Sequence, residues 1–68
     1  MTNVKLLEEK IKKSGLKKAY IAEQIGVSPN TFAGLMRNRT QFKAKQIRDI
    51  CKVLGIKDNE EIIAIFFA

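Results

Sequence analysis

The sequence predicts a single all-α domain built from four or five short helices. Apolar residues recur at helical spacing, glycines follow several of these stretches, and no stretch alternates apolar and polar residues as a β-strand would. The chain has 68 residues, of which 46% are apolar and 29% are charged, a composition typical of a small globular protein. Because no internal repeat or long linker interrupts it, residues 1–68 are expected to form one domain.

The first helix is predicted over about residues 3–14. Thr2 or Asn3 can cap its N-terminus, and Gly15 suits the position just beyond its C-terminus. Its apolar stripe comprises Val4, Leu7 and Ile11. One face of this helix is therefore expected to pack against the rest of the chain.

Two shorter helices follow, at about residues 17–25 and 29–37. Gly26 between them can adopt the positive φ of a sharp turn, Ser28 is a good N-cap, and Pro29 suits a first helical position. The residues predicted to face inward are Ile21, Ala22, Ile25, Phe32, Leu35 and Met36. This pattern predicts a tight pair of helices that cross at a steep angle.

A polar connection at residues 38–42 is expected to lead into a fourth helix over about residues 43–54, which Gly55 ends. Its apolar positions are Ile47, Ile50, Cys51 and Leu54, at the i, i+3, i+4, i+7 spacing of one helix face. A fifth helix, capped by Asp58, is predicted next. The final residues, IFFA, are the one place where a short strand could form instead.

Positive charge is concentrated in the middle of the chain. The net charge is +6, yet the segment from Lys10 to Arg48 holds ten basic residues and one acid, Glu23, which gives it +9. A basic centre of this kind favours a polyanionic partner such as duplex DNA, although a solubilising surface would have the same composition. Charge alone does not separate these two interpretations, and the pattern of the two short helices favours DNA.

The residue inventory excludes several other classes of protein. The single Cys51 excludes an internal disulfide, and the lack of histidine excludes Cys/His metal sites and catalysis by a histidine base. No signal peptide or long apolar segment is present, so we expect a cytoplasmic protein without membrane contact. We also expect no cofactor and no small-molecule ligand.

The stretch from Lys18 to Arg37 has the layout of a DNA-binding helix-turn-helix. Ala22 is small because the helix at residues 29–37 must cross closely over the preceding helix there, and Gly26 allows the steep turn between them. Phe32 and Leu35 hold the helix at residues 29–37 against the core, which leaves the opposite face of this helix free to enter the major groove of DNA. The alternative is a helical hairpin without a role in DNA binding.

The blocks LKKAYIAEQIGVSPNTFAGLMRNR and IRDICKVLGI resemble the Cro and phage-repressor type of helix-turn-helix, the XRE family. The resemblance covers about 40 of the 68 residues. It implies a compact, lambda-repressor-like domain of five helices that commonly acts as a dimeric transcriptional repressor. The ending EEIIAIFF is similar, more loosely, to small Cro-like proteins of phages and integrated elements.

The resemblance places the DNA base contacts on the third helix, at Pro29, Asn30, Thr31, Ala33 and Gly34. Asn30 is the best candidate, because its amide can pair with both N7 and N6 of adenine. The family often carries polar side chains where Pro29 and Gly34 stand, so direct readout is expected to be sparse and DNA shape to contribute. Gly34 either lets the helix backbone approach the groove closely or is a tolerated surface glycine.

Phosphate contacts are expected from polar and basic residues around that helix: Lys18, Ser28, Arg37, Asn38, Arg39, Thr40, Lys43 and Lys45. Lys18 stands where the family often has a glutamine that contacts a phosphate. Arg37 could reach a guanine edge, but a phosphate is favoured because base contacts usually come from the start of the helix. The lysines at positions 10, 12, 13 and 57 are expected to be ordinary surface residues.

The C-terminal segment 58–68 is a possible dimerisation segment. Two adjacent phenylalanines cannot both face a small helical core, so one of them is expected to be exposed and to mark an interface. The residues assigned to dimerisation are Ile65, Phe66 and Phe67. The alternative is that they close the core of a monomer.

Together these features predict a sequence-specific regulator that binds double-stranded DNA, a Cro-like repressor acting as a homodimer on a pseudo-palindromic operator. The alternative function is a protein-binding module, antitoxin-like or an adaptor, that docks through its apolar C-terminus. An enzyme is not expected, because histidine is absent and no carboxylates cluster on one predicted face.

Overall fold

The computed structural model describes all 68 residues and contains five α-helices and no strand. In chain order they are α1 (Val4–Ser14), α2 (Lys18–Gln24), α3 (Pro29–Met36), α4 (Ala44–Leu54) and α5 (Asn59–Phe66). The all-α fold is therefore confirmed, and the C-terminal strand considered above does not form. None of the helices is both long enough and apolar enough to cross a membrane.

Side-chain caps fix the N-termini of three helices. The Asn3 side chain accepts a hydrogen bond from the Leu6 N–H, so Asn3 rather than Thr2 caps α1. Ser28 and Asp58 cap α3 and α5 in the same way, as the sequence predicted. These caps satisfy backbone donors that would otherwise lack partners.

The turn between α2 and α3 is closed by two backbone hydrogen bonds. Gly26 has a φ of 75°, its N–H donates to the Glu23 carbonyl, and the Val27 N–H donates to the Ala22 carbonyl at 3.0 Å. This is the Schellman arrangement, which places one residue in the left-handed conformation and turns the chain sharply. The predicted turn is therefore present, and α3 begins three residues later.

The end of α3 has the same form, with Asn38 in place of a glycine. Asn38 has a φ of 58°, its N–H donates to the Leu35 carbonyl at 3.2 Å, and the Arg39 N–H donates to the Gly34 carbonyl at 2.9 Å. Asparagine adopts this left-handed conformation more readily than other residues with a side chain. Asn38 thus belongs to the end of α3, whereas the sequence placed it in a polar connection.

The core is assembled from all five helices and three connections. Its members are Leu7, Ile11, Ile21, Ala22, Ile25, Phe32, Leu35, Phe42, Ile50, Cys51, Ile56, Ile65 and Phe66. Most of the residues in the predicted stripes are buried as expected, and four are half-buried: Val4, Met36, Ile47 and Leu54. Phe42 is the exception to the prediction of a polar connection. Its ring packs edge-to-face on Phe66, with the centroids 5.4 Å apart.

The two C-terminal phenylalanines face opposite ways. Phe66 is only 4% exposed and lies in the core with Ile65, whereas Phe67 is 62% exposed. The prediction that one phenylalanine would be exposed is confirmed. The assignment of Ile65 and Phe66 to a dimer surface is not supported, because both side chains are already buried within the monomer.

The N-terminal residues connect the end of α3 to the end of α5. The Asn38 side-chain amide donates to the Thr2 carbonyl at 3.1 Å, and the Asn3 N–H donates to the Ile65 carbonyl at 2.6 Å. Thr2 is buried by these neighbours. The first residues therefore join the helix-turn-helix unit to the C-terminal helix.

The adjacent phenylalanines provide a matched pair for testing this core. Phe66→Ala should lower the free energy of unfolding by about 3–5 kcal/mol, because it removes a buried ring and leaves a cavity. Phe67→Ala should lower it far less, since that ring is largely exposed. Urea denaturation at low protein concentration measures both. Equal losses for the two variants would contradict the packing described here.

Candidate nucleic-acid interface

One face of α3 is exposed to solvent at its N-terminal end. Phe32 and Leu35 point inward and are buried, whereas Pro29, Asn30 and Thr31 are exposed. A helix anchored along one side in this way presents the other side to a partner. The exposed residues lie at its N-terminal end, from which such a helix contacts base edges in the major groove.

The first turn of α3 already uses one of its two hydroxyl groups. The Ser28 hydroxyl accepts from the Thr31 N–H at 3.1 Å and donates to the Thr31 hydroxyl at 3.0 Å. Ser28 is therefore engaged as the cap and has no hydroxyl proton left for a phosphate. The Thr31 hydroxyl accepts this bond, which leaves its own proton free to donate outward.

The middle of α3 offers little polar chemistry. Ala33 and Gly34 are half-buried, and a methyl group built on Gly34 would meet only the Arg39 Cβ, at 4.0 Å. Gly34 is thus not required by packing inside the monomer. Both interpretations of this glycine, close approach to DNA and a tolerated surface residue, remain compatible with its position.

Arginines and lysines without an acidic partner surround the end of α3 and the start of α4. Arg37, Arg39, Lys43 and Lys45 are all exposed, and none takes part in either of the two salt bridges of the protein. Thr40 is exposed between them. These side chains are therefore available to an anionic partner. Their role as phosphate contacts stays a prediction.

Asn38 has a different position from the one that the sequence suggested. Its amide nitrogen bonds to the Thr2 carbonyl, and its side-chain oxygen is buried without a hydrogen-bond partner. The side chain is therefore directed into the protein rather than towards solvent. Its observed role is to end α3 and to bind the N-terminal residues, and a phosphate contact is not supported.

Lys18, at the start of α2, is paired within the protein. Its ammonium lies 2.7 Å from a carboxylate oxygen of Glu8 on α1. The two side chains are 53% and 48% exposed. The sequence pointed to Lys18 but not to Glu8, since the two residues sit on different helices and no local spacing links them.

A groove of about 500 Å³ lies on one side of α3. It is lined by Val4, Glu8, Lys18, Ala19, Pro29, Phe32, Ala33, Met36 and Arg37. The groove therefore brings together Pro29 and Ala33, predicted to contact bases, and Lys18 and Arg37, predicted to contact phosphates. Four of the predicted contact residues share one surface.

A second groove, of about 510 Å³, lies between α4 and α5. Its apolar lining includes Ile47, Cys51, Ile56, Ile62 and Phe67, and the basic residues Arg48, Lys52 and Lys57 also line it. Burial, reinforced by the negative charge of Glu61, raises the pKa of the Cys51 thiol. Cys51 therefore stays protonated at neutral pH and behaves as a small core residue, as its place on the apolar stripe predicted.

Lys10, expected to be an ordinary surface residue, instead joins α1 to α5. Its ammonium lies 2.6 Å from a carboxylate oxygen of Glu61. The two ion pairs thus connect α1 to two different helices: Lys10–Glu61 connects it to α5, and Glu8–Lys18 connects it to α2. No group of three or more His, Cys, Asp or Glu side chains is placed to hold a metal ion.

In a comparison with protein families, residues 7–60 match the Helix-turn-helix family. Comparisons with curated proteins and with solved structures gave no match. The matched range includes the whole of α2, α3 and α4 and covers about four fifths of the chain. Members of this family regulate transcription by binding DNA and are not enzymes. The chain therefore belongs to the Helix-turn-helix family, in its Cro and phage-repressor (XRE) type.

Proposed function

We propose that this protein is a sequence-specific repressor of the Cro-like kind, from a phage or mobile element, that binds its operator as a homodimer. It would act in the cytoplasm without a cofactor or small-molecule ligand. The observation that carries the proposal is the exposed face of α3, flanked by cations that have no acidic partner. Double-stranded DNA supplies both groove and charge for such a surface.

Base reading would rest mainly on Asn30. Its exposed amide lies in the first turn of α3, where its nitrogen can donate to N7 of an adenine while its oxygen accepts from the N6 amino group of the same base. Thr31 can add a hydrogen bond or a methyl contact with thymine. Because the other exposed positions offer only apolar groups, sequence-dependent DNA shape would supply part of the discrimination.

Affinity would come largely from the phosphates. Arg37, Arg39, Lys43 and Lys45 can each neutralise a phosphate without first breaking an ion pair. Contacts of this kind hold the protein in register on the duplex but do not read its sequence. Binding should therefore weaken steeply as the salt concentration rises.

The outer face of α5 is the best candidate for the dimer surface. Ile63 is 57% exposed and Phe67 is 62% exposed, and with Glu60 and Ala64 they form a stripe at i, i+3, i+4 and i+7. This stripe adjoins the apolar groove between α4 and α5. In a two-fold dimer each copy would offer the same surface, so acidic Glu60 of one could face the basic side chains of the other's groove.

The size of the domain suits this arrangement. It measures 28 by 24 by 20 Å, so two copies side by side can place their α3 helices about 34 Å apart, one turn of DNA.

The α4–α5 groove also supports the second candidate function, a protein-binding module. That function predicts apolar docking with little dependence on salt, whereas DNA binding predicts a steep dependence.

Asn30→Ala should weaken binding to the preferred operator by about 1–3 kcal/mol, because the bidentate contact is lost. Non-specific binding should change little. The operator is first obtained by selection from a random pool of duplexes, and affinities are then measured on the selected and a scrambled duplex. Asn59→Ala, an exposed asparagine on α5, is the control and should leave both affinities unchanged. Equal losses on both duplexes would exclude Asn30 as a base reader.

Gly34→Ala should raise the free energy of unfolding by about 0.5–1 kcal/mol, since alanine favours the helix and its methyl group has room. Thermal denaturation measures this gain. DNA affinity then separates the two interpretations of the glycine. Weaker binding by the stabilised variant would indicate close backbone approach, and unchanged binding would indicate a tolerated surface glycine. A loss of stability would contradict the space seen around Gly34.

Phe67→Ser should reduce self-association in sedimentation experiments, because it removes the largest apolar side chain of the α5 stripe. Tyr20→Ser, which removes an exposed aromatic ring from α2, is the control and should not reduce it. A wild-type protein that remains monomeric even on operator DNA would contradict the dimer.

A further inference from the structure

The Glu8–Lys18 pair bears directly on the proposed function, on which this inference rests. Glu8 is the one acidic residue that lines the groove beside α3. Its carboxylate lies 2.7 Å from the Lys18 ammonium, and Arg37 lines the same groove. A negative charge therefore lies on the surface that is expected to contact the phosphates of DNA.

A carboxylate and a phosphate compete for the same ammonium group. Lysine carries a compact charge on a flexible stem, so its ammonium can pass from one anion to the other without a change in the fold. Exposed ion pairs are weak, and about half of each side chain is open to solvent here. Lys18 can therefore be released, but its release leaves the Glu8 carboxylate unpaired beside the DNA.

We propose that Glu8 limits the affinity of the protein for DNA by holding the Lys18 ammonium, for which a phosphate of the duplex must compete. The effect is electrostatic and independent of the bases, since neither group is placed on the exposed face of α3. Lys18 thus contributes less to binding than an unpaired lysine, such as Lys43, would contribute.

Glu8→Gln and Glu9→Gln form a matched pair for the test. Both residues are exposed neighbours on α1 and both changes remove one negative charge, but only Glu8 is paired with Lys18 and lines the groove. Affinity is measured by fluorescence anisotropy on a mixed-sequence duplex of about three helical turns, over a range of potassium chloride concentrations. Thermal denaturation checks that all variants remain folded.

At low salt, Glu8→Gln should bind about two- to five-fold more tightly than the wild type, the size expected for an exposed ion pair. Its plot of log affinity against log salt should be steeper by up to about 0.9, one additional phosphate contact. Glu9→Gln should show a smaller change. In a Lys18→Gln background the effect of Glu8→Gln should fall to that of Glu9→Gln, since no ammonium remains to be released and only general charge repulsion is relieved.

Three results would overturn the proposal in distinguishable ways. Equal affinities for Glu8→Gln and Glu9→Gln would show that the position of Glu8 is unimportant. A gain of undiminished size in the Lys18→Gln background would show general repulsion rather than competition for Lys18. If neither the wild type nor any variant binds duplex DNA, the proposed function fails, and the role of Glu8 fails with it.

Discussion

The position of α3 depends on the left-handed turn at Gly26. The Ala22 carbonyl accepts the Val27 N–H across this turn, and Ser28 then caps the next helix. A methyl group at Gly26 would meet no atom within 4 Å, so neighbouring residues do not require the glycine. The requirement lies in the backbone itself, because a φ of 75° is costly for a residue with a side chain. Without this turn, Phe32 and Leu35 could not reach the core while Asn30 stays outside.

The distribution of charge follows from the same arrangement. Glu8 on α1 and Glu61 on α5 each pair with a lysine, whereas the cations after α3 have no such partner. Exposed ion pairs add little stability, so the unpaired cations cost the fold little. The surface can therefore be specialised for an anionic partner almost independently of the core.

Features that depend on neighbouring residues could be predicted from the sequence. The caps at Ser28 and Asp58, the turn at Gly26 and the apolar stripes of the helices all follow from spacing and residue type. Phe42 could not be placed, because its burial depends on Phe66, which lies far along the chain. The same holds for the Glu8–Lys18 pair.

The same distinction between local and distant contacts applies to the candidate site. The exposed face of α3 could be predicted from helical periodicity, since Phe32 and Leu35 fix which side turns inward. The position of Asn38 could not, because the partner of its side chain is Thr2, near the opposite end of the sequence. A polar side chain in a basic connection is equally suited to a phosphate and to a carbonyl, and tertiary structure decides between them.

The contact between Asn3 and Ile65 has a consequence for the order of folding. The bonds that end α2, α3 and α4 each close a loop of a few residues, whereas this one closes a loop that includes nearly the whole chain. The entropy lost on closure grows with loop length, so local turns form readily and distant pairs form once other contacts have drawn them together. The bond between Asn38 and Thr2 likewise joins residues far apart in the sequence. The helix-turn-helix can thus be assembled before the N-terminal residues dock. We expect Thr2 and Asn3 to bind the ends of α3 and α5 late in folding.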